Sequence, residues 1–188
     1  MPESFRYSMI VNQKLAFAKI QLDTGKALLL ESEPSIDFRL KIHAYFDGAV
    51  LELNKALIYF LAEIADSNNA KEFAVHHDVV LSADNFNSFL KFASNIFPSV
   101  REFQEMQTLL VKNDSWLQRL IYYVENPVAL ATSFVSLVHE ESNDHTNNMI
   151  SIVNISSDKE ERPQVFVEDF IHEAHSLIDR HRANLEEY

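Results

Sequence analysis

Apolar residues recur at helical spacing along most of this chain. Over residues 5–30, Tyr7, Ile10, Val11, Ala18, Leu22, Leu28 and Leu29 share one face at about 100° per residue and predict a first amphipathic helix. A second, longer helix opens near Pro34, a good first-turn residue, and runs to about residue 66, where Ser67-Asn68-Asn69 ends it. Its stripe holds Ile36, Leu40, Val50, Leu53, Leu57, Ile58, Leu61 and Ile64. Residues 75–81 read as a connecting loop with some extended character. Ser82 is a credible N-cap for a short helix to about residue 93. Pro98-Ser99 starts another, carrying Val100, Phe103, Met106, Leu109 and Leu110, and Asp114 is expected to cap a further helix to about residue 124.

Asn126-Pro127 is a second cap-plus-first-residue pair and predicts a helix over 128–139, with strand as the lesser alternative. Residues 142–163 form the one long polar stretch. The alternation Met149-Ile150-Ser151-Ile152-Val153-Asn154-Ile155 inside it suits a short strand or a strap laid on the bundle. Residues 165–185 close the chain as a helix with Phe170, Ile171, Ala174, Leu177 and Ile178 toward the core. No internal repeat or low-complexity segment interrupts this order. Long helices joined by short connections favour antiparallel neighbours. The expected fold is all-α: a single domain over 1–188, an antiparallel up-and-down helical bundle with short extra helices, a polar loop or strap near 142–164 and a C-terminal helix over 165–188.

Composition narrows the function classes. With 188 residues, 47% of them hydrophobic and 23% charged, the chain is long and apolar enough to bury a full core. Two glycines are too few for a glycine-rich phosphate loop or for a fold of many tight turns. The net charge of -12 repels a phosphate backbone, so binding to nucleic acid or an anionic membrane is not expected. Without cysteine there is no disulfide, thiol nucleophile, iron–sulfur cluster or cysteine zinc site. The opening Met1-Pro2-Glu3-Ser4-Phe5-Arg6 lacks a basic patch followed by an apolar segment, and the run Ala56-Leu57-Ile58-Tyr59-Phe60-Leu61-Ala62 is far too short to span a bilayer. A soluble cytoplasmic protein without a cofactor is the expectation.

The candidate chemistry lies where polar residues interrupt apolar arcs. On the second helix His43, Asp47 and Asn54 fall at i, i+4 and i+11, close together on the helical wheel; Lys14 and Gln21 fall inside the arc of the first helix. Antiparallel packing would let Lys14 reach Asp47, giving a Lys14–His43–Asp47–Asn54 cluster fit for proton transfer or ligand recognition. A satisfied polar layer that fixes helix register is the commoner use of such residues. If Lys14 is the buried partner of Asp47, Asp47→Ala should cost a few kcal/mol, since a lone ammonium would stay inside. Trp116, Tyr122 and Tyr123 would line the same space or simply join the core.

Glu168, His172, His175 and Asp179 form a second stripe on the last helix at i, i+4, i+7 and i+11. Carboxylate and imidazole one turn apart can chelate a divalent metal, but this stripe lies well away from the helix's core arc, where a solvated face is the ordinary outcome. His172-Glu173-Ala174-His175 is one residue short of the zinc-protease spacing, and the nearest approach to a di-iron motif is Asp169-x-x-His172. His76-His77-Asp78 suits a solvated turn. In the tail, Arg182 and Glu186 are spaced to pair on an exposed face. No catalytic residue set, and no metal set beyond that weak stripe, emerges.

Tyr7 followed by Asn12-Gln13-Lys14-Leu15-Ala16-Phe17-Ala18, then His43 with the helix through Ala62-Glu63-Ile64-Ala65, Ser115-Trp116-Leu117 and Leu177-Ile178-Asp179-Arg180-His181-Arg182, resembles an uncharacterised all-helical family of gammaproteobacteria that carries a domain-of-unknown-function label. The order and spacing agree over nearly the whole chain and least over 129–164. The resemblance implies a helical bundle in a bacterial cytoplasm and implies no activity. The long second helix is also similar to bundles of the HEPN type, whose nucleases need Arg and His with four to six residues between them. Arg39 and His43 are separated by three residues and Arg180 and His181 are adjacent, so that likeness implies a catalytically silent partner protein. The leading expectation is a non-enzymatic, acidic helical module that binds a protein partner or itself. The rivals are a pocket on Lys14, His43, Asp47 and Asn54, the silent HEPN-like partner, and an acidic mimic of nucleic acid.

Overall fold

Beyond Leu53 the second helix carries apolar residues on every side, and a helix of that kind is stable in water only when other helices surround it. The computed structural model describes residues 3–30, 36–68, 86–126 and 163–186, which form six helices and no strand: α1 (Glu3–Leu29), α2 (Ile36–Ser67), α3 (Phe86–Ile96), α4 (Arg101–Val111), α5 (Trp116–Glu125) and α6 (Pro163–Glu186). The architecture is the expected all-α bundle, with α2 at its centre. The expected helix over 128–139, the Val75–Leu81 loop, the Ser82 cap and the strap near 142–164 lie outside the described residues, except that residues 163 and 164 of the strap belong to α6.

Residue pairs fix the directions. α1 meets α2 through Tyr7–Tyr59 (ring centroids 6.5 Å apart), Lys14–Glu52 and Gly25 against Phe46. As one number rises the other falls, so the two helices run antiparallel. Lys26–Glu168 and Arg182–Asn12 set α6 antiparallel to α1, whereas Phe60–His181 and Glu63–Arg182 set it parallel to α2. On α5, Tyr123 stacks flat on Phe166 at 4.8 Å, and the Arg119 guanidinium lies 5.7 Å from the rings of Phe166 and Phe170.

α2 is about 48 Å long and α1 about 40 Å, at 1.5 Å per residue. The shorter α3 and α5 pack on α2, α4 packs on α3 and α5, and α1 packs chiefly on α2 and less on α6. The core reflects this division. Ile58, Leu61, Ala62 and Ala65 are buried although they sit on the side of α2 where Leu40 and Leu51 are exposed. Leu29 and Leu40, expected inside from periodicity, are therefore outside: their helical face is apolar, but no described helix covers it. Phe46, Phe60, Phe86, Phe103, Phe166 and Phe170 fill the interior, each worth roughly 1.5–3 kcal/mol of burial.

Two helix starts show how local chemistry sets boundaries. α5 is capped by Ser115, not Asp114: Ser115 Oγ accepts from Gln118 N at 3.1 Å and donates to the Leu109 carbonyl. Asp114 stands one residue earlier in left-handed backbone (φ 59°), a conformation Asp tolerates, and its N–H donates to Gln118 Oε1 at 3.1 Å. α6 begins at Pro163, where the missing N–H has no helical partner to lose.

Candidate functional site

The sequence-derived cluster is spread over two faces. Lys14 Nζ pairs with Glu52 Oε2 at 2.8 Å, both side chains about a quarter exposed, and lies 5.8 Å from the Phe17 ring centroid. It does not pair with Asp47. The register that sets Tyr7 beside Tyr59 places Lys14 opposite Glu52, more than a helical turn from Asp47. Asp47 and Asn54 instead belong to one stripe of α2 with alternating spacings of four and three: Leu40, Ala44, Asp47, Leu51, Asn54, Ile58, Leu61 and Ala65. The stripe is uncovered or half covered to Leu51 and buried from Asn54 onward. Asn54 marks the point where α2 enters the surrounded half of the bundle, and His43 is half-buried beside the open half.

α1 carries two such stripes on opposite sides. The inner one, through Tyr7, Val11, Ala18 and Gly25, packs on α2. The outer one, Met9, Gln13, Ala16, Ile20, Asp23 and Ala27, follows the same four–three spacing and is continued by Leu30 just past the helix end, and all seven positions are exposed. Ile20 is 59% exposed and Leu30 87%.

The densest polar centre among the described residues was not visible as a unit in the sequence. Arg182 donates from Nε and Nη2 to the two oxygens of Glu63, each at 2.8 Å, and from Nη1 to Asn12 Oδ1 at 2.8 Å. One guanidinium thus ties α6 to α2 and α1. Local spacing suggested Glu186, whose side chain lies outside the described residues; Glu63, on the surrounded half of α2, attracts the guanidinium because few other groups can satisfy a buried carboxylate. On the next face of α6, Arg180 pairs with Glu105 of α4.

His181 lies between these two arginines and is only 3% exposed. Its Nδ1 is 3.7 Å from Glu102 Oε1 and its Nε2 3.4 Å from Glu105 Oε2, without a hydrogen bond at either nitrogen among the described residues. Its ring centroid is 6.0 Å from that of Phe60. Burial holds its pKa below the ordinary imidazole value; Glu105 and Glu102 oppose that shift, and Arg180 and Arg101 reinforce it. The imidazole is closed off from solvent, which suits a structural position better than contact with a substrate.

Two depressions adjoin this centre. One, of about 380 Å³, is lined by Arg101, Gln104, Glu105, Thr108 and Arg180. The other, of about 410 Å³, runs from Glu105 past Lys112 and Trp116 to Glu173 and Arg180. The Arg180–Glu105 pair is their common wall, and neither is lined by Lys14, His43, Asp47 or Asn54. Of the aromatic candidates, Trp116 lines the second depression, Tyr123 is part of the core stack on Phe166, and Tyr122 is exposed.

Glu168, His172, His175 and Asp179 are all exposed, and Glu168 pairs with Lys26 at 2.5 Å. Among the described residues no three His, Asp or Glu side chains are grouped so as to hold a metal ion, and no helix is long and apolar enough to cross a membrane.

No curated protein and no solved structure matches the chain. The sequence profile of DUF6586, a family of unknown function, matches residues 7–188 and so takes in both α1 stripes, the Arg182 centre and the α4–α6 grooves. The chain belongs to that family.

Proposed function

We propose that this protein is a non-enzymatic helical interaction module of the bacterial cytoplasm, and that it docks through the outer stripe of α1 onto a second copy of itself. The observation that carries this reading is the seven-position exposed stripe from Met9 to Leu30. Spacing of four and three is the pattern by which helices seat side chains between those of a neighbour. What sets this face apart is that it exposes Met9, Ile20 and Leu30, while α1 already packs on α2 with its other face.

A second copy fits the stripe. In an antiparallel pairing that sets Ala16 of one chain against Ala27 of the other, the two small residues allow close approach. Lys19 of each chain then lies beside Asp23 of the other. Within one chain these two residues already pair at 3.3 Å, so the pairing exchanges partners without leaving a charge alone. α1 has four basic residues and two acidic ones on a chain of net charge -12, so pairing two α1 helices does not oppose two acidic surfaces.

Sedimentation velocity of the full chain over a wide concentration range tests this. A monomer–dimer equilibrium is expected, with Ile20→Lys shifting it to monomer while the thermal unfolding of the monomer is unchanged. Asp23→Lys should weaken the dimer, and adding Lys19→Glu to it should restore association. A chain that stays monomeric into the millimolar range, or a dimer indifferent to Ile20→Lys, overturns the reading.

A further inference from the structure

We propose that the groove between α4 and α6 binds a small oxyanion, a phosphate or carboxylate group held between the guanidinium groups of Arg101 and Arg180. The groove has a volume of about 380 Å³ and both arginines line it. Arg101, the first residue of α4, is exposed and has no acidic partner among the described residues. Arg180 gives only Nη2 to Glu105, leaving the rest of its planar fork of donors unengaged among the described contacts.

Glu105, the one acid in the groove, already pairs with Arg180. One oxygen takes Arg180 and the other faces the buried Nε2 of His181 at 3.4 Å. The rim is left with a positive balance on a chain of net charge -12. Such a local inversion favours an anion that can accept from two guanidinium groups at once. Thr108 and Gln104 spend a donor each on backbone carbonyls, Thr108 on Gln104 at 2.8 Å and Gln104 on Pro98 at 2.9 Å. They shape the groove, and the arginines supply its donors.

The arrangement also couples the groove to the interior. An anion that draws Arg180 from Glu105 leaves that carboxylate facing His181 with less of its charge offset. Filling the groove should therefore favour the protonated imidazole. His181 faces Glu102, Glu105 and Arg101 from α4 and Arg180 from α6, and it lies against Phe60 of α2, whose nearby Glu63 is held by Arg182.

The test is nuclear magnetic resonance of the full chain titrated with inorganic phosphate or succinate, each against chloride at equal ionic strength. Saturable shifts of the Arg101, Arg180 and His181 side-chain signals are expected, with His181 titrating at higher pH in the bound form. Arg101→Gln removes an exposed side chain and leaves the fold intact; it should weaken binding about ten-fold or more. Arg180→Lys, which keeps the charge but loses the fork, should weaken it as well. Tighter saturation by phosphate assigns a phosphate group and tighter saturation by succinate a carboxylate. If chloride reproduces the shifts, if neither anion saturates, or if both variants bind as the parent does, the proposal fails.

Discussion

Arg182 and Glu63 meet end to end across α6 and α2, with two parallel hydrogen bonds of 2.8 Å. The pair is asymmetric: Glu63 is 9% exposed and Arg182 22%. Truncating each side should therefore differ. Arg182→Ala leaves a buried carboxylate without its cation and should cost about 3–5 kcal/mol. Glu63→Gln leaves a guanidinium that still holds Asn12 and can lean toward solvent, so its cost should be clearly smaller. Urea denaturation of the two variants measures the difference; equal costs would show that the two partners are equally able to reach water.

Lys14 and Glu52 reverse the expectation for Asp47. Once Lys14 is neutralised by Glu52, Asp47 has no buried ammonium to balance, and Asp47→Ala should change stability by less than about 0.5 kcal/mol. Glu52→Ala should cost on the order of 1 kcal/mol, the upper end for a pair still partly in water. A loss of several kcal/mol from Asp47→Ala would return Asp47 to the role the sequence alone suggested.

These two pairs also mark where the sequence could be read and where it could not. Helix positions were legible because apolar spacing, Pro34 and Pro98 are local signals: α1, α2 and α6 lie within a few residues of expectation. Side-chain pairing was not. Lys14 had two carboxylates to choose from, Asp47 and Glu52, and only the antiparallel register selects Glu52. Arg182 and Glu63 are 119 residues apart, and Arg182 has a nearer candidate in Glu186. Leu40 was misplaced because periodicity tells which face is apolar and says nothing of whether a neighbour covers it. The outer α1 stripe was present in the sequence as its four–three spacing but was masked by the inner stripe two residues out of phase.

The two glycines should respond to alanine in opposite directions. A Cβ on Gly25 would stand 3.0 Å from the Phe46 ring, which is fully buried and would have to give by a few tenths of an ångström. Gly25→Ala should be destabilising by about 1 kcal/mol or more, overpacking outweighing the gain in helix propensity. A Cβ on Gly48 would overlap the amide oxygen of Gln21, the far end of a flexible side chain. Swinging that amide aside is cheap, so Gly48→Ala should stabilise α2 by up to about 1 kcal/mol. Thermal unfolding of both variants decides it, and a destabilised Gly48→Ala would show that the Gln21 position matters to the α1–α2 contact.

Burial of His181 makes stability depend on pH in a stated direction. Its folded-state pKa lies below the unfolded value of 6.5, so in the window between the two the unfolded chain binds the proton more readily. The stabilisation is complete above 6.5 and is lost as pH falls from there toward the folded-state pKa. His181→Gln, neutral at every pH, should remove this contribution while keeping a polar group between Glu102 and Glu105. Denaturation of parent and variant between about pH 5 and pH 7 should show the parent losing stability relative to the variant on the acid side. Acid stabilisation of the parent relative to the variant would mean that the two carboxylates outweigh burial and hold the imidazole charged inside the bundle, with Glu102 and Glu105 acting as its counter-ions.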